Sequence, residues 1–284
     1  MLSDYILVHQ TGNNSFNKIN ELIETSDDME KDGHLSLEAY DEIEFLNYSF
    51  SYPNSKELSL VNLNLNLKKG QTLGIIGKTG SGKTTLVKQF LRQYPKGQGQ
   101  ILINSHDILD YRRYSLESRI GYVPQEHILF SKTVHANIAI GKKDASEEEI
   151  TQALQTASFS KDIKRMTKEL DTEVGERGLS ISGGQKQRIS IARAFISQAD
   201  LLILDDSLSA VDAKTEVDII HNIQTQRKDK TTIIVSHRLS AIQHADLVIV
   251  LDQGRIIEKG SPDQLYALKG WYYDQYQRQE LQEV

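Results

Sequence analysis

Residues 77–84 read Gly77-Lys78-Thr79-Gly80-Ser81-Gly82-Lys83-Thr84, a G-x-x-x-x-G-K-[ST] pattern that leaves few folds open. It follows the short apolar run TLGIIG and precedes the helical stretch TTLVKQFLRQY. A buried strand, a glycine-rich loop and a helix in that order belong to a parallel α/β unit. Taken alone, the segment could be no more than a glycine-rich turn. In this setting the glycines let successive backbone N–H groups curl round a phosphate at a helix N-terminus. Lys83 brings a point charge to the β and γ oxygens, and Thr84, with Thr85 beside it, offers a hydroxyl to Mg2+.

The remaining pattern fits such a core. IEFLNYSFSY from Ile43 and LSLVNLNLNL from Leu58 alternate at period two and predict two half-buried antiparallel strands. DLLILD (200–205), TTIIVS (231–236) and ADLVIVLD (245–252) are apolar bursts that predict strands buried on both faces. Between Pro124 and Asp200 the pattern is mostly helical, an insert in the parallel sheet. Nine acidic residues and one Lys between Glu21 and Glu42 predict a short helix, about residues 16–25, followed by a solvated linker. The expected divisions are residues 1–41, a main domain at 42–275 with a helical part at about 126–190, and a tail at 276–284. One terminal helix is expected after Ser261, with Trp271, Tyr272 and Tyr273 packed on the body.

Charge and residue usage close several routes. Thirty-three Lys and Arg against 39 Asp and Glu give a net charge of −6, so no basic excess attracts nucleic acid. The absence of cysteine excludes disulfides and thiol catalysis and suits a reducing compartment. No run approaches the roughly 18 apolar residues of a bilayer span, so a membrane role requires a partner. MLSDYILVHQ lacks the basic start and long apolar stretch of a signal peptide.

Two further motifs complete the pattern. Leu201-Leu202-Ile203-Leu204-Asp205 places Asp205 at the end of a buried strand, where a carboxylate orients a magnesium ion. The next residue, Asp206, is placed to polarise an attacking water, although either aspartate could simply cap a turn. Ser182-Gly183-Gly184-Gln185 is a weak turn signal by itself. With the other two motifs in this order, it resembles the signature of ATP-binding cassette (ABC) proteins, and the resemblance covers residues from about 43 to 275.

That resemblance implies a RecA-like P-loop NTPase core, an antiparallel β subdomain and a helical signature subdomain, with ATP and Mg2+ as ligands. It implies that Tyr52 stacks on adenine, unless it is an ordinary strand tyrosine. Gln125 is implied to reach the magnesium and nucleophile and to sense a transmembrane partner, Ser209 to Asp212 to cross a dimer interface, and His237 to contact the γ-phosphate. Ser182, Gly183, Gly184 and Gln185 are implied to cap the nucleotide of a second nucleotide-binding domain.

Thr172-Glu173-Val174-Gly175-Glu176-Arg177-Gly178 is similar to the X-loop of exporter cassettes, and SFNKINELIE resembles the end of an exporter's last transmembrane helix. The chain therefore looks like the ATPase portion of a half-transporter, held at the cytoplasmic face of the cell membrane by a transmembrane domain. Two positions depart from the family pattern: Ile181 stands for the usual Leu, and Asp206 for the usual Glu. A carboxylate set back by one bond, about 1.5 Å, can cost on the order of 10²-fold in rate. This resembles the degenerate half of a heterodimeric exporter, whose partner is a different chain; a homodimer with a slow site is the alternative. A soluble ABC ATPase acting on DNA or ribosomes lacks support in the acidic balance and in the absence of coiled coils or a second cassette. A small-molecule kinase leaves SGGQ and SHRLS unexplained.

Overall fold

The structure, a computed structural model, describes residues 2–24, 29–178 and 180–283. The chain divides into two units, Met1–Lys31 and Asp32–Val284. In the first, α1 spans Leu2–Glu24, well beyond the short helix expected at 16–25. Gly12 and the Asn pair after it have low helix propensity, which hid the first turns, yet a single glycine costs only about 1 kcal/mol within a helix. Residues 25–28, the start of the expected linker, lie outside the described residues.

The second unit begins with β1 (Glu42–Phe50), β2 (Leu60–Lys68), β3 (Thr72–Gly77), α2 (Lys83–Phe90), β4 (Gln98–Ile103), β5 (His106–Asp107), α3 (Arg113–Glu117) and β6 (Ile120–Val123). The helical section holds α4 (Val134–Ala139), α5 (Glu147–Thr156), α6 (Ser160–Ile163) and α7 (Gly183–Ile196). It returns to the sheet through β7 (Leu201–Asp205), α8 (Ala213–Gln226), β8 (Thr231–Val235), β9 (Leu247–Asp252) and β10 (Arg255–Gly260), and ends in α9 (Pro262–Leu268) and α10 (Trp271–Glu283).

Two sheets form. One is antiparallel in the order β2-β1-β4-β5; the other runs β10-β9-β3-β8-β7-β6 and is parallel except for β10. Alternation along the parallel strands divides the core. Leu202, Leu204, Ile234, Val248 and Val250 face the helical side with Phe159 and Ile189. Leu201, Ile203, Ile233, Ile249 and Leu251 face the antiparallel sheet with Phe45 and Leu86. Both faces of β7 and β8 are buried along their whole length, which is why they read as continuous apolar bursts.

The segment 32–41 is not a solvated linker. Leu37 and Tyr40 are buried, Leu35 N–H and His34 N–H donate to Asp110 O, and Leu37 N–H donates to Ser115 Oγ. Alternation turns Leu35 and Leu37 inward and leaves His34, Ser36 and Glu38 exposed, so the acidic composition describes only the outer face. The single terminal helix is also corrected. Lys269, at φ 54°, closes α9, and Glu258 accepts the Trp271 and Tyr272 N–H groups to start α10. Tyr272 is buried and Trp271 packs against the same core, while Tyr273 meets Tyr266 edge-on at 5.0 Å.

Candidate functional site

The glycine-rich loop leaves β3 at Gly77, where an added Cβ would lie 2.1 Å from Leu251 O. It enters α2 through Gly82, whose φ of 104° no β-carbon tolerates well. Lys83 is thereby set at the first helical position and is 7% exposed. Its Nζ donates to Gly77 O at 2.8 Å and to Lys78 O at 2.9 Å, so the ammonium is curled back onto the carbonyls of its own loop. Burial lowers its pKa below the ordinary lysine value, against the opposing pull of Asp206 and Asp205.

Across the loop, β7 delivers Asp205 at 1% exposure. Thr84 Oγ1 donates to its Oδ1 at 3.4 Å, and Tyr122 Oη to its Oδ2 at 3.5 Å. Burial raises the Asp205 pKa above the usual carboxylate range, with Asp206 adding in the same direction and Thr84 and Tyr122 opposing. Burial and the same carboxylate push Tyr122 up to about 12. Asp206 follows at φ 48°, and Gln125 Nε2 lies 3.5 Å from its Oδ2. His237, just past β8, has its pKa lowered by partial desolvation and then by the charge of Lys83.

Tyr52 sits at the far end. Its Oη is 2.9 Å from Thr85 Oγ1, and its ring is edge-on to Phe50 at 5.2 Å and to Tyr94 at 5.0 Å, with Lys88 Nζ 5.8 Å over it. A cleft of about 580 Å3 joins these groups. Tyr52, Thr79, Gly80, Gly82, Lys83, Thr84, Thr85, Gln125, Asp205, Asp206 and His237 all line it. Gly77, Lys78 and Ser81 belong to the loop but not to the cleft wall.

The donors suit Mg2+, a hard ion that takes one or two protein oxygens and fills its shell with water and phosphate. The Thr84 hydroxyl and Asp205 carboxylate stand side by side there, and no cluster of three or more acidic, His or Cys side chains competes among the described residues.

Ser182, Gly183, Gly184 and Gln185 do not line the cleft. They form the N-terminus of α7, where Ser182 Oγ accepts Gln185 N–H at 3.3 Å and Gln185 Oε1 accepts Ser182 N–H at 3.0 Å. Ala210 N–H donates to Gln187 Oε1, and Ser209 Oγ donates to Asp206 O, so the 209–212 loop runs between the signature helix and the second aspartate.

Sequence reasoning missed Tyr122 and Gly254. The Gln253-Gly254 turn joins β9 to β10, lines the cleft and donates Gly254 N–H to Ser81 O at 2.9 Å. Its D-Q-G-R spelling was a hairpin signal. Tyr122 lies on a four-residue strand too short to be recognised by alternation.

Residues 60–209 match the family described as ABC transporter. Over 99% of its length the chain is 50% identical to the probable multidrug resistance ABC transporter ATP-binding/permease protein YheI of Bacillus subtilis, and it covers 48% of that protein. It is 45% identical to the multidrug resistance-like ATP-binding protein MdlA of Escherichia coli, over 83% of this chain and 40% of the relative. A solved bacterial Atm1-family ABC exporter with ATP bound superposes with a TM-score of 0.88 at 35% identity, over 95% of this chain and 48% of that one. The chain thus spans about half the length of such relatives or less. Family match, relatives and fold agree: this chain belongs to the ABC transporter family.

Proposed function

We propose that this chain binds and hydrolyses ATP as the nucleotide-binding domain of an exporter, with residues 42–275 as that domain and about 126–190 as its helical signature part. The observation that carries the reading is Lys83, a nearly buried ammonium at the base of an open cleft, whose Nζ donates to Gly77 O and Lys78 O. Those carbonyls are neutral, so phosphate oxygens are stronger acceptors for the same ammonium.

In this reading the backbone N–H groups of the loop and the α2 N-terminus receive the triphosphate. Thr84 and Asp205 would hold Mg2+, with Gln125 beside them, and the ion would supply positive charge against the phosphates. Tyr52 supplies an aromatic surface for the adenine. Asp206 accepts a hydrogen bond from the attacking water, and His237 contacts the γ-phosphate.

Ser182 to Gln185 lie off their own cleft, which supports their use on a second nucleotide-binding domain whose cleft they close. We take that domain to be a different chain carrying Glu where this one has Asp206. A transmembrane domain is the other partner, placing the site at the cytoplasmic face of the cell membrane. Exposed Ile128 and Phe130, next to Gln125, offer apolar surface for it.

Calorimetry with Mg-ATP tests the core of the reading. Uptake is expected, and Lys83→Ala should weaken it by about 10- to 100-fold, the scale of charge-assisted hydrogen bonds. No uptake, or uptake that survives the substitution, overturns it.

A further inference from the structure

The His237 segment is gripped from the C-terminal helix. Gln279 on α10 donates from Nε2 to His237 O at 2.8 Å and accepts Leu239 N–H on Oε1 at 2.8 Å. A primary amide carries a donor and an acceptor side by side, so one side chain bonds the backbone on both sides of Arg238. Forty-two residues separate Gln279 from His237, and the contact is purely tertiary.

The segment is also held by Glu216 of α8, which is fully buried. Arg238 Nη1 donates to its Oε2 at 2.7 Å, and Ser240 Oγ to its Oε1 at 2.6 Å. Arg238 also reaches Ser209 O and Val211 O, the loop that follows Asp206. Residues 237–240 are therefore tied to two helices, α8 and α10.

The position of Gln279 is fixed by the core rather than by the cleft. Tyr272, one heptad earlier on the same face of α10, is 2% exposed, and Glu258 caps the start of the helix. We propose that Gln279 is a positioning residue for His237, through which the C-terminal helix sets the direction of the imidazole at the phosphate end of the cleft. The role rests on the ATP-hydrolysing function proposed above.

Gln279→Met tests it in the full chain, because Met keeps the length and the apolar stem while losing both bonds. Hydrogen exchange of the Leu239 amide should quicken about tenfold, while Ile233 and Ile234 in β8 stay protected. The kcat for Mg-ATP should fall about tenfold with KM and Tm unchanged. Gln279→Glu keeps the acceptor for Leu239 N–H and loses the donor to His237 O, so it should preserve Leu239 protection and still lower kcat.

An unchanged Leu239 exchange rate in Gln279→Met removes the clamp. Faster exchange with unchanged kcat, or a fall in Tm together with a rise in KM, reduces Gln279 to a docking contact and overturns the role. A wild-type chain that takes up no Mg-ATP overturns the function and the role together, while Leu239 exchange still reports on the clamp itself.

Discussion

Asp206 hangs from Val235: its N–H donates to Val235 O at 2.9 Å, and its backbone turns to φ 48° at that point. The carboxylate is thus aimed from the end of β7 toward Gln125 by a left-handed residue, a conformation that Asp tolerates better than most side chains. Lengthening it tests whether one bond limits the chemistry. Asp206→Glu should raise ATP turnover with the natural partner by about 10- to 100-fold, because misplacement on the order of 1 Å costs a catalytic group about that much. Steady-state phosphate release is the measurement. Unchanged turnover, in a chain that already hydrolyses briskly alone, removes the slow-site reading.

Thr84 and Asp205 make a separate prediction. Thr84→Val keeps the shape and deletes the hydroxyl that now donates to Asp205 Oδ1. Nucleotide affinity without Mg2+ should stay within about twofold, while the Mg2+ concentration needed for half-maximal turnover rises about tenfold, the scale of one lost polar contact to a charged site. Titrating Mg2+ at fixed ATP separates the two. Equal losses with and without the ion would show that Thr84 serves the loop rather than the metal.

The parallel core was legible because its strands are buried on both faces. Leu201 to Leu204 can be nothing but interior, and the glycine-rich run from Gly77 to Gly82 spells its own turn. Elements of mixed surface were harder to see. β10 alternates between half-buried and exposed residues, and β4 begins with three exposed ones, so neither carries a strong apolar period. In the site, the residues on fixed motifs were readable, whereas the support behind them was not. Tyr122, Gly254 and Gln279 act through tertiary hydrogen bonds to Asp205 Oδ2, Ser81 O and His237 O, and no local pattern announces such partners.

Asn137 anchors the exposed segment after Gln125. It is fully buried; Oδ1 accepts Phe130 N–H at 2.9 Å and Arg193 Nη2 at 2.8 Å, while Nδ2 donates to Phe130 O at 3.0 Å. Asn137→Ala strips those partners in a place water does not reach and should cost about 2–4 kcal/mol. Thermal or urea unfolding should show the loss. A cost within about 0.5 kcal/mol, the usual range for surface changes, would mean that the segment is held by Arg193 alone.

His127 gives the stability a pH dependence whose sign is fixed. Its Nδ1 is buried with no protein partner among the described residues, and burial lowers its pKa from 6.5 to about 4. The unfolded imidazole takes up its proton near 6.5, the folded one only near 4, so between those values the unfolded chain binds more protons. Stability contributed at this site therefore rises with pH across that window, is complete above it, and is lost progressively as pH falls from 6.5 toward 4. Carboxylates titrate in the same range and would mask the effect in the wild type alone. His127→Leu removes one titrating group and leaves the rest, so the urea midpoint of the variant should improve relative to wild type as the pH is lowered from about 7.5 to about 4.5, a range that takes in most of the window. Parallel midpoint curves across that range would mean that the folded imidazole accepts its proton as readily as the unfolded one.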